Sequence, residues 1–327
     1  MMKQTQKIKL VDVARLAGVS CSAAGKVLNG GSKEIRVGEK TRQRILDAAK
    51  QLDYHPNMAA SILAGGDSKL IGMLLDPGAS YRYMRLLQEV ERLGAAKGYR
   101  ILTSFSHDSL DNLIENYRML LRYGVSGVIC CAHDYPQFKT QISDFFAGQR
   151  NIVFMEKPAG ADHIPCIRTS RVKALTRMIA KAHQRGFRKI GMLCGNHIWQ
   201  TERCLYEEFH QAMQANGLTV DERLILAYPE QSESLEGRMK WVLEQMILPY
   251  RPDFLYIDDA PHAAALLAHI QETGMELTIH GGDNNPLFGG MGMRSLDPCY
   301  EKIAEAFLYQ LHILDGTCAD IIETVCL

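Results

Sequence analysis

From Lys69 onward the chain alternates between two hydrophobic rhythms, and this alternation restricts its fold more than any other feature. Apolar runs of strand length stand at Leu70–Leu75, Ile101–Phe105, Gly127–Cys131, Ile152–Met155, Ile190–Cys194, Phe254–Ile257 and Leu277–His280. Helical patterns separate most of them, at Tyr83–Lys97, Leu110–Tyr123, Gln137–Ala147, Arg171–Gly186, Thr201–Asn216, Leu235–Ile247 and Pro261–Thr273. A strand that is apolar on both faces has to be covered on both, and strand–helix–strand units join by right-handed crossovers. The pattern therefore predicts parallel sheets between helical layers. About 260 residues is long for one open sheet, so two similar α/β lobes are expected.

The first 66 residues follow a different rule. They hold 11 Lys and Arg against 5 Asp and Glu, while residues 67–327 hold 26 against 32, so the zero net charge of the chain is a cancellation of +6 by −6. A basic module joined to an acidic body is the pattern expected of a nucleic-acid reader attached to a ligand-responsive core. Leu10, Val13, Ala14, Leu16 and Ala17 recur at helical spacing, Gly18 breaks the pattern, and Ser20 is a good N-cap for a second helix reaching about Leu28. A third helix is expected from about Glu39 to Leu52. Pro56 halts the chain, and the small residues from Asn57 to Ala64 read either as a short helix of marginal stability or as plain linker. The polar N-terminus lacks the apolar stretch of a secretory signal, and no apolar run is long enough to span a membrane. A cytoplasmic protein without membrane contact is expected. The nine cysteines are scattered, with no Cys-x-x-Cys pair, and read as reduced thiols; neither a metal site nor a cofactor is expected.

The segment Leu10–Ser20 carries the mechanics of a helix-turn-helix. Ala14 lets two helices cross closely, Gly18 accepts a left-handed turn, Val19 plugs the shared core, and Ser20 opens a helix suited to the major groove. An ordinary helical hairpin has the same spacing; the basic excess of the segment favours DNA.

On these residues the chain resembles the LacI/GalR family of bacterial transcription regulators. The matches are Asp12-Val13-Ala14, Ala17-Gly18-Val19-Ser20, Val27-Leu28-Asn29, Thr41-Arg42 with Ile45, then Leu52, Tyr54, Pro56-Asn57, Ala60 and Leu63-Ala64. The resemblance implies a helix-turn-helix headpiece at 1–56, a hinge helix or linker at 57–66, and a two-lobed core at 67–327 of the type I periplasmic-binding-protein kind. Lobe 1 is expected at about 67–167 and 294–318, and lobe 2 at about 168–293 and 319–327. It further implies DNA contacts from Ser20, Cys21, Ser22, Lys26, Asn29, Thr41, Arg42, Tyr54, Asn57 and Ala60, with Leu63 wedging between base pairs of the minor groove. A linker leucine packed on the core is the alternative for Leu63. The recognition helix departs from the family: Ala23-Ala24-Gly25-Lys26 stands where Thr-Val-Ser-Arg is usual. Two hydroxyl contacts are thereby lost, and Lys26 reaches either a guanine or only a phosphate.

In open α/β sheets ligands lie beyond the carboxyl ends of the strands. The acidic, amide and aromatic residues there suit a polyhydroxyl ligand. Asp76 and Glu156 are candidates as residues just after strands; the resemblance ranks Asp283, Asp258 and Tyr83 as ligand contacts, although Gly282 replaces an aromatic residue and Thr169-Ser170 the usual Asp-Asn. Trp199 is unusual at its place, and Arg203 lies two residues before that of the family's effector-contacting arginine, where this chain has Leu205. The effector is then expected to be bulkier, anionic or absent compared with the sugars of well-known members. Each of these carboxylates also reads as an ordinary cap on the following helix. No nucleophile elbow, phosphate-binding loop, dinucleotide fingerprint or metal-binding histidine spacing occurs, so an enzyme is not expected. The reading is a ligand-responsive regulator, chiefly a repressor of a carbohydrate-related operon, binding a pseudo-palindromic double-stranded operator as a homodimer; the alternative is a cytosolic sugar sensor with a weakened DNA role.

Overall fold

The computed structural model describes residues 8–28, 37–55, 68–76, 81–107, 109–132, 136–156, 164–195, 200–228 and 234–326. They fall into two compact units, Met1–Lys69 and Leu70–Leu327.

In the first unit the described helices are α1 (Leu10–Ala17), α2 (Cys21–Leu28) and α3 (Glu39–Gln51). Helix α1 stops at Gly18, whose φ of 64° and ψ of 43° are left-handed and cost glycine least. The reversal lets the Val19 N–H reach the Ala14 carbonyl at 3.0 Å. Ser20 then caps α2, its Oγ accepting from the Ala23 N–H at 3.2 Å. Val13, Ala14, Ala17, Ala24, Ile45, Ala48 and Ala49 form the buried core, with Leu10, Val19, Leu52 and Tyr54 packed around it. Because alanines dominate this core, the helices approach closely. A Cβ on Gly25 would stand 3.2 Å from Leu10 Cδ2, which accounts for a glycine inside α2 despite its cost of about 1 kcal/mol in an isolated helix.

The second unit contains two six-stranded sheets. The first runs in the order β11-β5-β4-β3-β1-β2, with β1 Leu70–Leu75, β2 Arg100–Phe105, β3 Gly127–Cys130, β4 Ile152–Met155, β5 Cys166–Ser170 and β11 Ile321–Glu323. The second runs β12-β10-β9-β8-β6-β7, with β6 Ile190–Cys194, β7 Ile225–Ala227, β8 Phe254–Ile257, β9 Thr278–Gly281, β10 Arg294–Asp297 and β12 Val325–Cys326. Alternation along each strand feeds two cores. Ile71, Met73 and Leu75 face a core completed by Leu86, Val90, Ile303 and Phe307. Leu74 faces the other with Leu113, Tyr117, Leu120 and Phe146. In the second sheet Met192, Phe254 and Tyr256 meet Leu175, Ile179 and Phe209, whereas Leu193, Leu255 and Ile257 meet Met239, Val242 and Leu266. These are the doubly wound parallel lobes expected, with one exception: β12 runs antiparallel to β10.

The chain crosses between lobes three times: after β5, after β10, and between β11 and β12. The sheets correct the expected division, since β10 belongs to the second sheet and not with lobe 1, β11 belongs to the first and not with lobe 2, and β5 ends only at Ser170. The expected helix Leu235–Ile247 is α-helical to Val242 and then widens to a π segment over Leu243–Ile247. Pro249, two residues past this segment, has no N–H to give to a regular ladder.

Candidate functional site

Ser20, Cys21 and Ser22 are exposed in sequence at the start of α2, and Lys26 is exposed one turn further along. This exposed face carries hydroxyl, thiol and ammonium groups that suit base edges or phosphates. Arg42 on α3 is exposed, Thr41 is half-buried, and Tyr54 is half-buried against the headpiece core. Asn29, Asn57, Ala60 and Leu63 lie outside the described residues.

In the second unit a cavity of about 740 Å³ opens where the strand ends of the two lobes face each other. Lobe 1 lines it with Tyr83, Arg82, Glu156 and Thr169, and lobe 2 with Asp258, Glu208, Tyr228, His262 and Asp283; Arg171, at the first crossover, stands between them. The centre of the site is Asp258, at the end of β8. One of its oxygens pairs with Arg82 Nη2 at the start of the helix Tyr81–Ala96. The other accepts from the Tyr256 hydroxyl at 2.7 Å and lies 3.7 Å from Arg171 Nε. Arg171 is further held by Glu208, through Nη1 at 3.2 Å and its backbone N–H at 3.0 Å. Burial pushes the Asp258 carboxyl up, but the two guanidiniums and Tyr256 outweigh it and hold the group below its ordinary value. Gly282 makes this arrangement possible. A Cβ there would fall inside contact distance of both Asp258 Oδ1 and the Tyr256 hydroxyl, so the missing aromatic side chain is replaced by the Tyr256–Asp258 pair.

Asp283 has the opposite electrostatics. It is buried, its Oδ1 accepts from the Asn285 N–H at 3.0 Å, and its Oδ2 has no hydrogen-bond partner among the described residues. Burial, followed by the charge of Asp258, pushes its carboxyl up to about 7. Glu156 is raised by burial against the opposing pull of Thr169, whose hydroxyl and N–H donate to Oε1 at 2.6 and 3.0 Å. Farther along the wall the Tyr228 and His262 rings stack at 4.5 Å, with the Arg238 guanidinium 5.6 Å from the Tyr228 centroid. His262 Nδ1 lies 2.5 Å from Asp259 Oδ2. Among the described residues no group of His, Cys, Asp and Glu is arranged to hold a metal ion.

Of the residues expected to touch ligand, Tyr83, Glu156, Asp258 and Asp283 line the cavity. Asp76 does not line it and accepts instead from the Ser106 hydroxyl. Arg203 is exposed and outside the lining, although Cys204, Leu205, Glu207 and Glu208 on the same helix are part of it. The helix turns Arg203 away because Leu205 is the side chain committed to the core. Trp199 lies outside the described residues. Arg82, Arg171, Tyr228, Arg238 and His262 were not anticipated. Arg82 was detectable as a basic residue between the tyrosines of Tyr81-Arg82-Tyr83; Arg171 depends on the crossover geometry, which local spacing does not encode.

Comparison with known proteins bears on both units. Residues 9–57 match the bacterial regulatory proteins of the lacI family, and residues 179–296 match the periplasmic binding protein-like domain. Over these residues the chain is similar to the lacI family of bacterial regulatory proteins and to the periplasmic binding protein-like domain. Among curated relatives, the catabolite repressor/activator of Escherichia coli strain K12 is 29% identical over 163 residues, covering 49% of this chain and 48% of that protein. The transcriptional repressor PurR of Haemophilus influenzae strain PittEE is 27% identical over 239 residues, covering 73% of this chain and 69% of that protein. The match thus spans about half the length of the first of these and about two thirds of the second. In fold, the chain is similar to the lac repressor dimer bound to operator and the anti-inducer ONPF, with a TM-score of 0.78 at 18% identity over 98% of both chains. It is also similar to the transcriptional regulator CelR in complex with cellobiose, with a TM-score of 0.64 at 17% identity over 98% of both. No helix among the described residues is long and apolar enough to cross a membrane.

Proposed function

We propose that the protein is a ligand-responsive, DNA-binding transcription regulator, acting in the cytoplasm as a repressor of a carbohydrate-related operon. Two copies bind a pseudo-palindromic operator, since one headpiece reads only a few base pairs and two-fold symmetry doubles the contact. Ser20, Cys21, Ser22, Lys26, Asn29, Thr41, Arg42, Tyr54, Asn57, Ala60 and Leu63 form its DNA surface. The effector lies in the cleft against Tyr83, Glu156, Asp258 and Asp283. The observation that carries this reading is the joining, in one chain, of a helix-turn-helix whose α2 begins with exposed polar residues and a 740 Å³ cleft between two lobes. The transcriptional repressor PurR, the lac repressor bound to operator and the cellobiose complex of CelR support it by similarity.

Selection from a random-sequence DNA pool with the full chain tests the reading without knowledge of the operator. Enrichment of a two-fold-related pair of half-sites is expected. Recovery of no enriched sequence, at salt low enough for nonspecific binding to be visible, contradicts it.

A further inference from the structure

The carboxylate expected to accept ligand hydroxyls is already engaged on both oxygens. Asp258 holds Arg82 on one oxygen, and the Tyr256 hydroxyl and Arg171 Nε on the other. The pairing is unequal. Asp258 has two hydrogen-bond donors and a second guanidinium 3.7 Å away, whereas Arg82, only 14% exposed in its side chain, has Asp258 as its ion-pair partner among the described residues. Arg171 keeps Glu208 whatever happens to Asp258. If Arg82 were taken over by another anion, Asp258 would still be held by Tyr256 and Arg171, and no charge would be left buried alone. The reverse exchange, removal of Asp258 with nothing in its place, strands a guanidinium in the cleft. Arg82 stands on lobe 1 and Asp258 on lobe 2, so their pair is also a link between the lobes.

We propose that Arg82 reads the charge of the effector: a ligand bearing a carboxylate or a phosphate takes the Arg82 guanidinium in exchange for Asp258 and so unhooks this link between the lobes. The inference deepens the regulator reading above and rests on the cleft being its effector site. A neutral polyol cannot make the exchange, because hydroxyls do not replace the charge that a buried guanidinium needs. Such a ligand leaves the Arg82–Asp258 pair in place and leaves the lobes linked. Tyr256 and Gly282 act as positioning residues for Asp258: one donates to it, and the other leaves the space that the pair occupies.

The test uses the full chain in three forms: wild type, Arg82→Gln and Asp258→Asn. Thermal unfolding and calorimetric titration are followed with inorganic phosphate, acetate and glucose, with ionic strength held constant by chloride. Phosphate, acetate or both should raise the melting temperature of the wild type, and which of them acts tells a phosphate-bearing from a carboxylate-bearing ligand. Arg82→Gln should weaken that anion's binding by more than about tenfold, as loss of a buried charged partner does. Asp258→Asn removes the rival of the ligand and should strengthen anion binding several-fold, which a merely structural role for the pair would not do. A wild type that responds to neither anion overturns the inference, as does an unchanged response in Arg82→Gln or a weakened one in Asp258→Asn. Operator retention in the same buffer separates the two readings. DNA binding without any anion response defeats this inference alone, and an Arg82-dependent anion response without DNA binding defeats the regulator reading alone.

Discussion

Residues 256, 258 and 282 determine one another. Tyr256 is wholly buried, its hydroxyl holds Asp258, and the two together occupy the space that any side chain at position 282 would need. Gly282→Ala is therefore expected to destabilise the core by about 1–3 kcal/mol, the usual range for overpacking. Urea unfolding of that variant and of Gly282→Ala with Tyr256→Phe checks it, because removing the hydroxyl should return part of the loss; a neutral single variant would refute the crowding. Asp283 makes a second prediction through pH. Its carboxyl titrates at about 7 when folded against an ordinary value of 3.8, so the folded chain prefers the neutral acid. The stability from this preference is fully present below a pH of about 4 and is lost as the pH rises through about 7, with a limiting slope of about 1.4 kcal/mol per pH unit. Asp283→Asn should flatten the stability profile across that window. Parallel profiles for the two proteins would show that the carboxyl is not perturbed.

Among the elements, α2 separates a capping role from a reading role. Ser20→Ala removes the hydroxyl that holds the Ala23 N–H and should cost the headpiece about 1 kcal/mol, measurable as faster hydrogen exchange in α2. Cys21→Ala touches no cap and should leave headpiece stability within about 0.5 kcal/mol while altering operator preference; a change in stability without a change in preference would remove Cys21 from the DNA surface. The helix-turn-helix was legible in the sequence because its signals are local: Gly18 and Ser20 lie within three residues of the turn they make. The central strands β1, β4, β6 and β8 were legible for a related reason, as burial on both faces leaves an unbroken apolar run. β5, β7, β10, β11 and β12 were not legible. Two of them carry polar residues at sheet positions next to a crossover, as in Cys166–Ser170 and Arg294–Asp297, and the other three are three residues or fewer. The helix Tyr300–Gln310 could have been found from Ile303 and Phe307, four residues apart after Pro298. The cleft was half legible. Its acidic residues follow strands and can be guessed there, but Arg82 and Arg171 become part of the site only when β5 delivers the chain from one sheet to the other.

For the molecule as a whole, the opposed charges acquire distinct places. The excess of Lys and Arg lies in residues 1–66, within the unit that ends at Lys69, and the excess of Asp and Glu lies in the two-lobed unit. In the proposed function, counterion release is assigned to the basic headpiece, and the acidic excess of the two-lobed unit disfavours phosphate contact by that unit. The proposed coupling needs a two-state element whose balance both ligand and DNA influence. The three crossovers and the Arg82–Asp258 link are the features of the two-lobed unit suited to that role. If the N-terminal unit carries the specific DNA reading proposed above, operator affinity against salt will show it. Fluorescence anisotropy with the fragment recovered by selection would compare the full chain with residues 70–327. Tight, sequence-selective binding that falls steeply with salt is predicted for the full chain, with none for the truncated one; equal affinity of the two for the operator would contradict the account.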